Sequence, residues 1–338
     1  MTTDKISFVS VAGYGSTGSS AVVNLLEELS DCHVVGGEFR FIQDPDGLED
    51  FCSNIVNSWG WVRSDAFVRR FKRFTDIMGR HPKYFEFGED LDRYFNNKFF
   101  KFRDAFLNQV IDTTWQGYWF YHDYHERGPL DTFIEKCKRY VVKYGISKRT
   151  IRKITKKSDM YFVRHDVDIY KYASEFINKL FLEKVKVQEQ KMVVLDQLIL
   201  PYNRDKFSRL FLSLKQIIVD RDPRDVYLDA MTYNAYPITK DIKSFISFYE
   251  SVHNKEPVVD TDVVKKIQFE DLIYNYDKTI VEIFSFLNIN PDTHYNKKNK
   301  FNPEVSIKNT KTWRRQEFKR YRQDIVEIEK NLSQWCYD

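Results

Sequence analysis

The first regular pattern in the chain is an unbroken apolar run, ISFVSVA at residues 6–12, which ends at glycines. A short apolar run without alternation predicts a strand buried on both faces, as in a parallel sheet. In the segment SSAVVNLLEEL, Val22, Val23, Leu25, Leu26 and Leu29 recur at helical spacing, and Ser19 or Ser20 is placed to cap the helix start. DCHVVGGEFRF predicts a second strand that emerges at Gly36 and Gly37, with Glu38 just past its end. Apolar runs return in KMVVLDQL (191–198) and in LKQIIVDRDPRDVYLDAM (214–231), the latter passing into a helix with Pro223 among its first residues. VVKKIQFEDLIYNYDKTIVEIFSFLNI (263–289) repeats strand then helix.

Strands alternating with helices predict an α/β fold, a parallel sheet flanked by helices whose ligands sit beyond the carboxyl ends of the strands. Residues 48–185 are aromatic and basic with mostly helical periods, and predict a mainly helical insertion or cap. No linker composition separates it, so a single domain spanning 1–338 is expected.

Composition narrows the class. With 42% hydrophobic residues in 338 the chain can bury a sizeable core. No window offers the roughly 18 uncharged apolar residues of a membrane span, and the start has no signal-peptide pattern, so a soluble, cytoplasmic protein is expected. Cys32, Cys52, Cys137 and Cys336 are scattered without a CxxC pair, which argues against a zinc ribbon or a disulfide framework. His122 and His125 share a helical spacing but lack further ligands, so no metal site is expected. A net charge of +4 does not by itself point to nucleic acid, but ten Lys or Arg and no acid fall between Lys136 and Lys157. That run reads as a solvated face or as a contact for a polyanion or an anionic membrane surface; without an accompanying stacking signature, a nucleic-acid partner is not expected.

The loop between the first strand and helix, GYGSTGSS, carries candidate chemistry. Gly13, Gly15 and Gly18 allow a tight turn that brings N–H groups to an anion, and Ser16, Thr17, Ser19 and Ser20 add hydroxyl donors at the helix start. The Gly13-x4-Gly18 spacing matches the start of GxxxxGK[ST], but Ser19 stands where that motif has lysine, which argues against an ordinary ATPase or GTPase. Arg221, directly after an apolar strand, is placed for a bidentate bond to phosphate at the sheet edge, or else for a surface pair with Asp222 or Asp225.

GYGSTGSSAVVNLL, IIVDRDPRDVYLD, IQFEDLIYNYDKTIVEIFSFLNI and KNTKTWRRQEFKRYRQDIVEIEKNL occur in the order seen in PAPS-dependent sulfotransferases, which the chain resembles over roughly 6–40 and 190–335. The resemblance implies a P-loop-like sheet and a donor, 3'-phosphoadenosine 5'-phosphosulfate (PAPS), released as adenosine 3',5'-bisphosphate (PAP). By analogy Gly15, Ser16, Thr17, Gly18, Ser19 and Ser20 hold the phosphosulfate, Arg221 meets the 3'-phosphate, and Lys311, Arg314 and Arg315 around Trp313 close over the nucleotide. Glu38 matches the position of a glutamate base in the heparan sulfotransferases of this family; its alternative is a surface pair with Arg40. The acceptor implied is a hydroxyl, with a carbohydrate or polysaccharide favoured by the aromatic stretch TWQGYWFYHDYHERG (114–128), which also suits the core of a helical cap.

The chain departs from that family at three places. Ser16 stands where many members carry a cation, Asp229 where a serine is expected eight residues after the arginine, and Asp196-Gln197 where a Glu-Lys pair is common. Arg40, Arg164 or a residue of the basic middle is then needed as the replacement cation. Asp229 would repel a 3'-phosphate and suits a ribose hydroxyl better. Two alternatives follow: a nucleotide-dependent phosphotransferase, and a non-catalytic nucleotide-binding protein of the same fold.

Overall fold

The computed structural model describes residues 6–80, 89–119, 122, 128–145, 158–185, 192–233, 239–255 and 258–337. Their strands are β1 (Ser7–Gly13), β2 (Cys32–Glu38), β3 (Ile111–Gly117), β4 (Ser158–Val163), β5 (Met192–Asp196), β6 (Leu214–Asp220) and β7 (Val264–Gln268). Five of them form one sheet in the order β2-β5-β1-β6-β7, and every neighbouring pair is parallel. The fold is therefore α/β, as the alternating pattern predicts.

The chain divides into two compact units, Met1–Asp44 with Ile177–Asp338, and Pro45–Phe176. The first unit holds the sheet. β1 lies at its centre with Phe8, Val9, Val11 and Ala12 fully buried, which is why that stretch carries no alternation. One layer of core packs Val9 and Val11 with Val22, Leu25 and Leu26 of the Ser19–Glu27 helix, and with Ile283, Phe284 and Leu287 of the Tyr276–Leu287 helix. A separate cluster joins Val226, Tyr227 and Ala230 of the Pro223–Tyr233 helix to Phe245 and Tyr249, and to Ile325 and Ile328 of the Arg322–Asn331 helix.

Two local details differ from the sequence-based expectation. Neither Ser19 nor Ser20 caps the first helix: Gly18 is the N-cap, in the left-handed region at φ 89°, with no side-chain cap bond. Glu38 is the last residue of β2 rather than just beyond it, reached through an irregularity between Val35 and Glu38 in the pairing with β5. Pro223 does open its helix, where its missing N–H costs no internal bond.

The second unit is helical, with helices Leu48–Asn57, Trp61–Gly79 and Phe99–Val110, and adds a two-stranded antiparallel sheet of β3 and β4. Stacked phenylalanines fill its core, Phe51 on Phe71 at 4.9 Å and Phe106 on Phe176 at 5.4 Å between ring centroids. Buried Asp65 ties helix to sheet by accepting the Tyr161 N–H at 2.9 Å, with His122 Nε2 also at 2.9 Å, so His122 is a structural partner here. Among the described residues no group of His, Cys, Asp and Glu is arranged for a metal ion, and no helix is long and apolar enough to cross a membrane. Cys32, Cys52, Cys137 and Cys336 form no disulfide with one another. Phe120, Tyr121, Tyr124 and His125 of the aromatic stretch, and 146–157 of the basic run, lie outside the described residues.

Candidate functional site

The loop from β1 to the first helix turns by three successive departures into the left-handed region, Gly15 at φ 95°, Ser16 at φ 52° and Gly18 at φ 89°. Glycine is required at Gly13 for space and at Gly18 for space as well as for φ. A Cβ on Gly13 would sit 2.9 Å from the Val219 carbonyl oxygen, and one on Gly18 would sit 2.6 Å from the Phe269 ring. Buried Thr17 closes the turn, its Oγ1 accepting the Tyr14 N–H at 3.2 Å. Tyr14 is anchored in turn by His253, whose ring stacks on it at 3.7 Å and lies 3.2 Å from Asp220 Oδ1 through Nε2.

Arg221 leaves the end of β6 and reaches across to this loop. Its Nη1 donates to the Ser16 carbonyl oxygen at 2.9 Å and to Asp229 Oδ2, and its Nη2 donates to the Asn309 carbonyl oxygen at 2.6 Å. The guanidinium lies 5.4 Å from the centre of the Phe269 ring, and Nε is buried with no hydrogen-bond partner. One side chain thus binds the loop, the following helix and the C-terminal segment. Its ion-pair partner is Asp229, eight residues on, not Asp222 or Asp225. Asp222 is taken by Arg224, and Asp225 receives the Lys311 and Thr312 N–H groups and the Thr312 hydroxyl at 2.6–2.8 Å.

These segments enclose a cavity of about 380 Å³ lined by Ser16, Gly18, Ser20, Ala21, Asn24, Arg221, Asp229, Phe269, Lys300, Phe301, Ser306 and Asn309. It opens at the carboxyl ends of β1 and β6, where an α/β sheet presents its ligand sites. Lys300, whose ammonium pairs with Glu27 at 2.9 Å, is a cation of this cavity that the sequence reading did not single out. Neither did it single out Phe269, Asn24 or Asn309. The signal for Phe269 was its place at the strand-to-helix junction of QFEDL; the others carry none in the sequence.

Asp225 fixes the basic closing segment. Lys311, left-handed at φ 49°, has its ammonium 5.3 Å from the centre of the Tyr274 ring. Two guanidinium groups lie over the Trp313 ring, Arg224 at 4.1 Å and Arg314 at 4.7 Å from a ring centre, and its buried Nε1 has no hydrogen-bond partner. Arg315 turns back, donating to the Lys308 carbonyl and pairing with Glu317.

Glu38 and Arg40 lie at the end of β2, with β5 between them and the central strand. They pair with each other at 3.3 Å, both half-exposed, and Arg40 also binds Asp44 at 2.7 Å. Arg164 is engaged with Asp112 and Asp166. The register sets Glu38 opposite Asp196, the last residue of β5. Burial pushes the Asp196 carboxyl up to about 6; the Ser19 hydroxyl hydrogen bond works against this, and the negative charge of Glu38 adds to it. Asp196 Oδ1 has no hydrogen-bond partner, and neighbouring Gln197 donates to Ser19 Oγ at 3.0 Å. Asp196 entered the sequence reading only as half of a missing Glu-Lys pair, yet it is a half-buried, readily protonated carboxyl beside the helix that follows the loop. Elsewhere on this edge, burial raises Glu270 to about 7, while Asp220 is held below the ordinary carboxylate value because His253 and Lys266 outweigh its burial.

No protein-family model and no curated protein matches the chain. Solved structures it is similar to include sulfotransferases. The sulfotransferase domain of the Synechococcus PCC 7002 olefin synthase is 12% identical, with 99% of this chain and 95% of that one covered at a TM-score of 0.42. The sulfotransferase domain from the curacin biosynthetic pathway is 10% identical, with 97% and 98% covered at 0.40. Sulfotransferase STF1 of Mycobacterium tuberculosis H37Rv is 10% identical, with 92% and 77% covered at 0.34.

Proposed function

We propose that the chain is a sulfotransferase that takes a sulfonate group from PAPS and passes it to a hydroxyl acceptor. The observation that supports this most is convergence: the loop 15–20, Arg221 and the Asn309–Lys311 segment, three separate parts of the motif order noted in the sequence, meet around one cavity or directly beside it. In this reading the loop N–H groups and the start of the Ser19–Glu27 helix hold the 5'-phosphosulfate. Arg221, bonded to the Ser16 carbonyl and lining the same cavity, meets the 3'-phosphate, and Lys300 is the cation that stands in for the one missing from the loop. In the same reading Lys311 and Arg314 close over the nucleotide.

The reaction needs little covalent help from the protein. The acceptor oxygen attacks sulfur in line, the sulfur–oxygen bond to the 5'-phosphate breaks, and its electron pair leaves with the phosphate, where the loop donors and cations meet the charge. The acceptor proton goes to a carboxylate at the sheet edge. Glu38 takes that role in this reading, and Asp196 opposite it keeps a second carboxyl near neutrality. A carbohydrate acceptor is the finer proposal, resting on the aromatic residues of 114–128 whose polar-rimmed rings suit sugar faces.

Asp229 is the observation that favours the alternative, a nucleotide without a 3'-phosphate, because its carboxylate occupies Arg221. Thermal unfolding separates the two. A ligand at a hundredfold excess over Kd stabilises by about 2.7 kcal/mol, so adenosine 3',5'-bisphosphate should raise the melting temperature measurably and more than ATP does. No shift with the bisphosphate, or a larger one with ATP, rejects the sulfotransferase reading.

A further inference from the structure

The helix Pro129–Lys143 bears a surface that the nucleotide site leaves unused. Leu130, Phe133, Ile134, Tyr140 and Val141, with Tyr144 just past its end, fall within roughly 120° of the helix circumference at 100° per residue. A stripe of this kind ordinarily packs against a core. Here every one of these side chains is exposed, Leu130 at 71%, Phe133 at 64% and Tyr144 at 67%. Lys136 and Lys138 stand on opposite flanks of the stripe by the same spacing, and the Lys143 ammonium lies 5.8 Å from the centre of the Tyr144 ring. The charge continues along the chain, with ten Lys or Arg and no acid from Lys136 to Lys157.

We propose that this helix lies in the plane of an anionic lipid surface, its apolar stripe at the acyl boundary and its lysines among the headgroups. Charge complementarity selects the occupant. A soluble polyanion would use the lysines but leaves Leu130, Phe133 and Ile134 in water. A second copy pairing stripe to stripe would bring lysine flanks against each other. An anionic bilayer satisfies both parts together, and Tyr140 and Tyr144, with apolar rings and polar tips, suit the headgroup boundary. The inference stands independently of the sulfotransferase reading.

The test is co-sedimentation of the full chain with phosphatidylcholine vesicles, with and without phosphatidylglycerol. Anionic vesicles should bind the chain at least about tenfold better than zwitterionic ones. Leu130→Asp with Phe133→Asp, both at exposed positions, should lower that binding by about tenfold or more, with the circular dichroism spectrum unchanged. Lys136→Glu with Lys143→Glu, or raised salt, should lower it as well. Three results overturn the proposal: no preference for anionic vesicles; vesicle binding that survives the aspartate pair and is matched by heparin, which means charge attraction alone; or a dimer in solution that the aspartate pair dissolves, which assigns the stripe to a second copy.

Discussion

Replacing Asp229 by serine removes the one carboxylate that competes with a 3'-phosphate for Arg221. In the wild-type chain Asp229 pairs with Arg221 Nη1 and is about a quarter exposed. Two unit charges 4 Å apart interact by about 4 kcal/mol at an effective dielectric of 20, and by about 1 kcal/mol in water. A partly exposed carboxylate beside a bound phosphate falls between these limits, so the repulsion relieved is about 1–3 kcal/mol, or roughly a 5- to 150-fold gain in affinity. Arg221 keeps its bonds to the Ser16 and Asn309 carbonyls in the variant and stays in place. Isothermal titration at physiological salt reads the effect, with adenosine 3',5'-bisphosphate as ligand and adenosine 5'-phosphate as control. The bisphosphate should gain and the monophosphate should change by less than about threefold. An equal gain for both, or none for the bisphosphate, refutes the placement of the 3'-phosphate at Arg221.

Further outcomes follow from the same geometry. Gly18→Ala should destabilise the fold by about 1–3 kcal/mol in denaturant titration, because φ 89° is strained for alanine and its Cβ would meet Phe269 at 2.6 Å; an unchanged midpoint would contradict the loop geometry. Asp225→Ala leaves the Lys311 and Thr312 donors unpaired and should cost about 2–3 kcal/mol, with faster proteolysis near residue 311. Asp196, raised from 3.8 to about 6, binds its proton more tightly folded than unfolded, so its contribution to stability is complete below about pH 4 and is lost as pH rises through 6. Asp196→Asn should therefore stabilise the protein at pH 7 relative to wild type by about 1–2 kcal/mol after allowance for partial exposure, and this gain should vanish near pH 4; a gain independent of pH would exclude titration as its cause. Glu38→Gln should lower turnover by roughly 10²- to 10⁴-fold while nucleotide affinity holds, and loss of both together would make Glu38 structural.

The sheet was legible because burial on both faces writes itself as apolar runs: β5 and β6 fall within the segments read as strands, β1 runs one residue past its segment to Gly13, and the loop between β1 and its helix was visible from three glycines. The cap was misplaced because serine is the favoured N-cap by propensity, whereas this turn needs a left-handed residue there, and Gly18 supplies it at the cost of the side-chain bond. The β3–β4 pair was missed because Ile111–Gly117 is exposed along most of its length and carries no apolar alternation. At the site, Arg221 and Asp229 were both singled out, but their union was not, since pairing at a spacing of eight depends on where the helix after Pro223 points. Asp196 was hidden for a different reason: its raised protonation comes from burial and from Glu38 across the sheet, and neither is a property of its sequence neighbours.

The most direct trial of the central claim is transfer itself. The protein is incubated with PAPS carrying radiolabelled sulfur and a panel of hydroxyl compounds that includes glycans, and labelled products and nucleotide are separated. The account predicts label on a hydroxyl acceptor together with one equivalent of adenosine 3',5'-bisphosphate, both lost in Arg221→Ala. Release of bisphosphate no faster than without protein across the panel, or transfer of labelled phosphate from ATP to the same acceptors instead, would contradict it.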